Sequence, residues 1–163
     1  MAFQRLSLLL MVLSLSACGF HLKGYQQEAS PALDDLFVIG GDQRNTLAGM
    51  LQRNLRIAGV NLADNTESAR NRLQIVQEQM KSRVLAVDAS GKALDSEFRL
   101  LAGFRLTPAS GESQEVQSLE LVRQLSYSGT DELGQRNEAA LLMEDMRNEM
   151  ANQIIRRLEA QLD

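Results

Sequence analysis

Residues that could carry covalent or metal chemistry are scarce in this 163-residue chain. It contains one cysteine, Cys18, and one histidine, His21. A single cysteine cannot form an internal disulfide, and a single imidazole cannot supply the two that most zinc sites use. No serine stands in the G-x-S-x-G pattern of a hydrolase nucleophile. The sequence therefore predicts no catalytic site, no metal site and no cofactor, which leaves Cys18 as the reactive group to explain.

The residues before Cys18 have the pattern of a secretory signal. Residues 1–5 carry Arg5 as their only charge, and a 12-residue apolar run from Leu6 to Ala17 follows. That run is shorter than the roughly 20 residues that a membrane-spanning helix needs. The segment Leu15-Ser16-Ala17-Cys18 resembles the lipobox read by lipoprotein signal peptidase. We predict a signal peptide at 1–17, with cleavage before Cys18 and lipid on its thiol; the alternative is a plain signal peptide with an accidental cysteine.

The lipid on Cys18 determines where the mature chain resides. Three acyl chains form a stable anchor, because each buried CH₂ contributes about 0.8 kcal/mol. In similar lipoproteins an Asp after the cysteine signals retention at the inner membrane, and this chain has Gly19 there. The resemblance implies a lipid-anchored protein of the outer membrane.

Composition limits the number of domains and the class of partner. A net charge of −4 and a pI near 5.1 argue against nucleic acid as a partner, because phosphate contacts need a surplus of Lys and Arg. The hydrophobic content of 44% is ordinary for a globular protein. We expect a lipidated N-terminus and linker at 18–35, followed by one domain at 36–163.

Hydrophobic periodicity predicts the element order β-α-β-β-β-α. The clearest strand alternates apolar Phe98 to Leu106 with residues of the opposite face, Glu97 to Arg105. The predicted elements are strand 36–39, helix 45–58, extended segment 73–87 with a turn at 88–91, strand 97–106, strand 116–127, loop 128–136, and a helix from Asn137 to Leu162. Met143, Met146 and Met150 form a stripe on the last helix that we interpret as core.

This order predicts a two-layer α/β (α+β) sandwich. The sheet has four strands and is mixed, with the first strand parallel to the second, and both helices pack on one face. The phase of the last strand stays open, because Arg123 shares a face with Leu119, Leu121 and Leu125. Either a bulge or an apolar strip on the open face would explain it.

The start of the mature chain resembles a known family. The segment Cys18-Gly19-Phe20-His21-Leu22-Lys23-Gly24 is similar to the start of mature members of the LptE family of lipopolysaccharide-assembly lipoproteins, and the length and element order also match. The resemblance implies a non-enzymatic outer-membrane protein that sits inside the large β-barrel LptD, assists its assembly and contacts lipopolysaccharide.

The resemblance also implies where the lipid is bound. Basic residues near loop tips of the family are thought to contact lipid phosphates, which makes Lys92, Arg136 and Arg44 the candidates here. We expect their three loops to emerge at the same end of the fold. An alternative lipid-contacting or barrel-contacting surface is formed by Arg99, Leu101 and Arg105, on the exposed side of the alternating strand.

A second function class stays open at this point. The chain could be a periplasmic adaptor lipoprotein of another outer-membrane assembly machine, binding protein rather than lipid. An anchored enzyme is disfavoured for want of catalytic residues.

Overall fold

A computed structural model describes residues 30–40, 46–127 and 131–162. The predicted signal peptide, Cys18, His21 and Arg44 lie outside these ranges. A four-stranded sheet is covered on one face by two helices, which confirms the predicted fold class. The elements are β1 (Leu36–Ile39), α1 (Leu47–Ile57), β2 (Asn71–Val87), β3 (Ala93–Thr107), β4 (Gln117–Ser126) and α2 (Glu132–Leu162).

The strands are arranged in chain order, β1-β2-β3-β4. β1 pairs with β2 in parallel, and the other two pairs are antiparallel, as predicted. In β3 the side chains alternate between the two faces. From Phe98 onward, those that face the helices are all buried: Phe98, Leu100, Ala102, Phe104 and Leu106.

The helix α1 follows its sequence signals closely. The Thr46 hydroxyl accepts a hydrogen bond from the Gly49 backbone N–H at 3.2 Å and caps the first turn. At the other end Gly59 has a φ of +85°, and the Val60 N–H donates to the Leu55 carbonyl at 3.0 Å. Leu47, Leu51 and Leu55 are fully buried.

The helix α2 begins earlier than the sequence indicated. We expected a loop up to Arg136, whereas the helix starts at Glu132. The Asp131 carboxylate accepts hydrogen bonds from the backbone N–H groups of Leu133 at 3.2 Å and Gly134 at 3.1 Å. This cap supports a first turn that contains a glycine. Arg136 therefore lies on a helix rather than on a loop, and 31 residues give α2 a length of about 46 Å.

The segment 30–35 is part of the fold, although we expected it to be linker. Pro31–Leu33 form a 3-10 turn capped by the Ser30 hydroxyl, and Leu33 is fully buried. The Asp35 carbonyl accepts a hydrogen bond from the Arg70 N–H at 2.8 Å, immediately before β2. Burial of Leu33 brings this segment into the core.

The ambiguous phase of β4 has a different explanation from the two that we considered. The ladder between β3 and β4 runs from Asp95–Ser126 to Phe104–Gln117 without a register shift, so β4 contains no bulge there. Arg123 lies on the helix-covered face with Leu119, Leu121 and Leu125. It forms an ion pair with Glu149 of α2, which accounts for a cation on that face.

Unequal strand lengths divide the molecule into two regions. Ile39, the last residue of β1, pairs with Gln74, and β2 continues for 13 more residues to Val87, which is about 40 Å at 3.3 Å per residue. We call residues 81–99, 122–127 and 131–142 the arm, and the other described residues the base. Of the 22 hydrophobic residues that are buried within the described ranges, only Phe98 lies in the arm. Seven of the 11 large hydrophobic residues that are exposed in these ranges lie there.

Candidate functional site

The arm ends in the turn Asp88–Lys92, which together with the first turns of α2 we call the tip. One carboxylate holds this turn. Asp88 Oδ1 accepts hydrogen bonds from the Ser90 hydroxyl at 2.7 Å, the Ser90 N–H at 2.8 Å and the Lys92 N–H at 3.0 Å. These donors hold the pKa of the Asp88 carboxyl below its ordinary value, and the Ser90 hydroxyl contributes most, followed by the Lys92 N–H. Gly91 supplies the positive φ of +83° that the turn requires. The turn therefore presents Lys92 on an ordered backbone.

Lys92 and Arg136 lie on opposite sides of one shallow groove. The groove has a volume of about 400 Å³ and separates the Asp88–Lys92 turn from the first turns of α2. The Tyr127 N–H donates to the Leu94 carbonyl at 2.8 Å and holds the end of β4 against β3 beside the groove. The structure thus brings together two of the three predicted cations. The lining residues are Gly91, Lys92, Ala93, Tyr127, Glu132, Gln135, Arg136 and Ala139.

Arg136 is only weakly held by its acidic neighbour. Its Nη2 lies 3.9 Å from Glu132 Oε2, and both side chains are more than two-thirds exposed. Exposed pairs of this kind contribute about 0–1 kcal/mol. A phosphate could therefore compete for the guanidinium, since charge-assisted bidentate hydrogen bonds to phosphate are stronger.

The third predicted cation, Arg44, lies outside the described residues, but both ends of its loop are described. Gly40 follows Ile39, which pairs with Gln74, and the Leu47 N–H donates to Glu78 Oε2 at 2.9 Å. Glu78 is 10 residues before Asp88 on β2, or about 33 Å at the rise of a strand. We expected the three loops to emerge at the same end of the fold, but the described ends of this one lie well short of the Asp88–Lys92 turn, because β1 is far shorter than β2.

Exposed apolar side chains surround the tip, and our sequence reasoning missed them. Val84 and Val87 are each 56% exposed, Leu94 is 43% exposed and Leu133 is 65% exposed. The positions of Val84, Val87 and Leu94 on the two sides of Gly91 were visible in the sequence. Exposed apolar residues that cluster beside charged ones are typical of interaction sites. Together with Lys92 and Arg136 they give the tip the chemistry of an amphiphile-binding surface.

The alternative site residues Arg99, Leu101 and Arg105 lie on the open face of the sheet, on the side opposite the helices. Arg99 Nη2 is 3.6 Å from Glu97 Oε1, and its Nη1 pairs with Glu120 on β4. Leu101 is half-buried. Arg105 Nε is buried and has no hydrogen-bond partner within the described residues.

Within the described ranges, no group of three or more His, Cys, Asp or Glu side chains could hold a metal ion. None of the helices in these ranges is long and apolar enough to cross a membrane.

Comparisons with known proteins agree with this architecture. A family model described as LptE, lipopolysaccharide-assembly, matches residues 33–158. The LPS-assembly lipoprotein LptE of Photorhabdus laumondii is 24% identical over 149 residues, covering 91% of this chain and 81% of that protein.

Solved structures show the same fold. The crystal structure of rare lipoprotein B from Shewanella oneidensis superposes with a TM-score of 0.65 at 19% identity, covering 77% of this chain and 94% of that one. The NMR structure of a lipoprotein B from Nitrosomonas europaea gives a TM-score of 0.67 at 24% identity, with coverages of 87% and 91%.

Proposed function

The chain belongs to the LptE family of lipopolysaccharide-assembly proteins, and we propose from this premise that it is a non-enzymatic outer-membrane lipoprotein that works with the large β-barrel LptD. In this function it binds lipopolysaccharide, assists assembly of the barrel and occupies the barrel lumen. Lipid on Cys18 anchors it to the membrane.

The observation that carries the lipid-binding role is the tip of the arm. Lys92 and Arg136 lie across one groove, and lipid A carries phosphates that such cations bind. Val84, Val87 and Leu94 stand exposed beside them, where acyl chains could lie. A ligand with phosphates and acyl chains uses both properties of the tip.

The shape of the molecule supports a place inside a barrel. The helix α2 is about 46 Å long, and a bilayer with its headgroup regions is about 40–45 Å thick. Ser30, the first described residue, lies in the base, so the tether from Cys18 leads to the base and leaves the tip at the far end. Only barrels of roughly 22 strands or more have a lumen that holds a folded plug.

The proposal is tested by a mild-detergent pull-down of the tagged full-length chain. We expect a large barrel at one copy per chain, with lipopolysaccharide bound. Recovery of small barrels only would contradict the plug, and a protein partner without lipopolysaccharide would support the adaptor function instead.

The anchor is tested separately with Cys18→Ser. Because a serine hydroxyl does not accept the diacylglyceryl thioether, this variant should incorporate no labelled palmitate and should accumulate unprocessed. Palmitate incorporation equal to that of the unaltered chain would refute lipidation at Cys18.

A further inference from the structure

The open face of the sheet carries a surplus of cations. Cross-strand register places five basic side chains on it, with three acids, Asp95, Glu97 and Glu120, for a net charge of +2. The whole chain has a net charge of −4. The face is thus opposite in sign to the rest of the protein. The five basic residues are Arg72, Lys81, Arg83, Arg99 and Arg105.

Two of the three acids are already engaged within the face. Glu97 Oε1 is 3.0 Å from Arg83 Nε and 3.6 Å from Arg99 Nη2, and its side chain is only 11% exposed. Glu120 pairs with Arg99 from the other side. The resulting ladder of alternating charges crosses β2, β3 and β4. Within the described residues no ion pair is formed by Arg72, Lys81 or Arg105, and these three cations, offset by Asp95, give the surplus of +2.

The middle of the face is apolar and close-packed. A Cβ at Gly103 would lie 3.1 Å from Val76 Cγ2 and 3.7 Å from Val116 Cγ1, so the two valines close over the glycine. Val76 is 41% exposed and Val116 is 44% exposed; Val122, which pairs with Arg99 two rows from Gly103, is 39% exposed. A free-standing sheet face is normally polar. Here four apolar residues, Val76, Leu101, Val116 and Val122, lie among the cations of the face.

The form of this face indicates a protein partner rather than a small ligand. Small ligands bind in concave sites, and the shallow grooves at the tip and between α1 and α2 are lined by residues of neither β4 nor the middle of β2 and β3. Protein interfaces combine an apolar centre with arginines. The net charge selects a partner surface of opposite sign.

We propose that the open face docks against an acidic protein surface through Arg72, Lys81, Arg105 and the valine patch. The inference rests on the proposed function, in which that surface belongs to the lumen wall of the barrel. The helix layer then faces away from this contact, and the tip remains available to lipid.

The test compares two double variants of the full-length chain, each of which replaces two basic residues by Glu. Arg72→Glu with Lys81→Glu alters the open face, and Arg156→Glu with Arg157→Glu makes the same change on α2, where both arginines are exposed. The measurement is the amount of co-expressed barrel retained per tagged chain in mild detergent at 0.1 and 0.5 M salt. Melting curves and lipopolysaccharide binding are measured on the same samples.

We expect the open-face pair to retain about tenfold less barrel at low salt while the α2 pair retains as much as the unaltered chain. Retention by the unaltered chain should fall at high salt, because screening weakens exposed charge pairs. If the open-face pair does not fold, Arg72→Gln with Lys81→Gln removes the charge without adding acid and should lower retention about threefold.

Three results would overturn the inference. The open-face pair could retain the barrel normally, the α2 pair could lose it equally, or the open-face pair could lose lipopolysaccharide instead of barrel, which would make this a lipid surface. Failure of the unaltered chain to retain any barrel would reject the proposed partnership itself, together with the inference.

Discussion

The base and the arm share one sheet and one long helix, yet they differ in what covers the sheet. In the base both helices lie over the strands, and Leu36, Leu51 and Leu73 are fully excluded from water. The first turn of α1 lies beside Glu78, and in the arm the sheet continues beyond it. There Val84 and Leu94 stay exposed. The sheet is thus stabilised at one end and left accessible at the other.

This difference teaches where stability and binding can be separated. The apolar area removed from water, at about 25 cal/mol per Å², lies almost entirely in the base. Substitutions at the tip can therefore change ligand binding with little effect on the free energy of unfolding. Regions with few buried contacts also open at lower free energy than the global unfolding transition.

The largest effect is expected from a core truncation in the base. Leu51→Ala should lower the free energy of unfolding by about 2–5 kcal/mol, because it removes a fully buried side chain and leaves a cavity. The matched truncation in the arm, Leu94→Ala, should cost under about 1 kcal/mol, since Leu94 is 43% exposed. Urea unfolding of both variants measures the difference. Equal losses would show that the arm contributes as much to stability as the base.

A smaller effect is expected at the junction of the two regions. Glu78 accepts hydrogen bonds from the Leu47 N–H at 2.9 Å and Arg147 Nε at 2.8 Å, and so joins β2 to both helices. Glu78→Ala should cost about 2 kcal/mol, because it leaves two donors without their acceptor. Glu78→Gln should cost less, since an amide oxygen can still accept from Leu47. If urea unfolding showed Glu78→Gln to be less stable than Glu78→Ala, this account of the junction would be refuted.

Two turn glycines at opposite ends of the sheet distinguish stability from binding. Gly91 has a φ of +83° and Gly111 a φ of +86°, and a Cβ at either position meets no atom within 4 Å. Each substitution to Ala should therefore cost about 1 kcal/mol through backbone strain alone. Only Gly91→Ala should also weaken lipopolysaccharide binding, because Gly91 lies in the turn that presents Lys92. Weakening by both variants, or by neither, would contradict the assignment of the site to the tip.

The smallest effect is a local response to pH. Because the pKa of Asp88 is lowered in the folded turn, its carboxylate stabilises the turn above the ordinary value of 3.8, and this contribution is lost as the pH falls below that value. Carboxyl NMR should place the Asp88 midpoint under 3.8. Ser90→Ala, which removes the largest cause of the shift, should raise the midpoint. An unchanged midpoint in that variant would show that the Ser90 hydroxyl does not hold the carboxylate.

Local patterns predicted the elements, and distant contacts decided what the patterns left open. The alternation in β3 was sufficient to assign its buried face. The phase of β4 could not be assigned, because the partner of Arg123 is Glu149, 26 residues away on α2. The start of α2 was missed because Gly134 indicated a loop, whereas the Asp131 cap outweighs it.

The candidate site was predicted only in part for the same reason. Lys92 and Arg136 were identified by resemblance, and their shared groove depends on β2 being much longer than β1. The short first strand and the long second segment were both predicted, but the pairing register of Ile39 with Gln74, which leaves the far part of β2 without β1 beside it, is not visible in the sequence. It also separates the described ends of the Arg44 loop from the tip.

The claim that the tip binds lipopolysaccharide is tested by measuring the binding of a variant altered there. Lys92→Glu with Arg136→Glu reverses both cations of the groove, and Arg156→Glu with Arg157→Glu makes the same charge change at the other end of α2. We predict that the free energy of unfolding of the tip pair stays within about 1 kcal/mol of that of the unaltered chain. Its binding at low salt should weaken at least tenfold, or about 1.4 kcal/mol, while the control pair binds normally. Undiminished binding by a folded tip pair at both low and moderate salt would contradict the account and remove the arm from the lipid site.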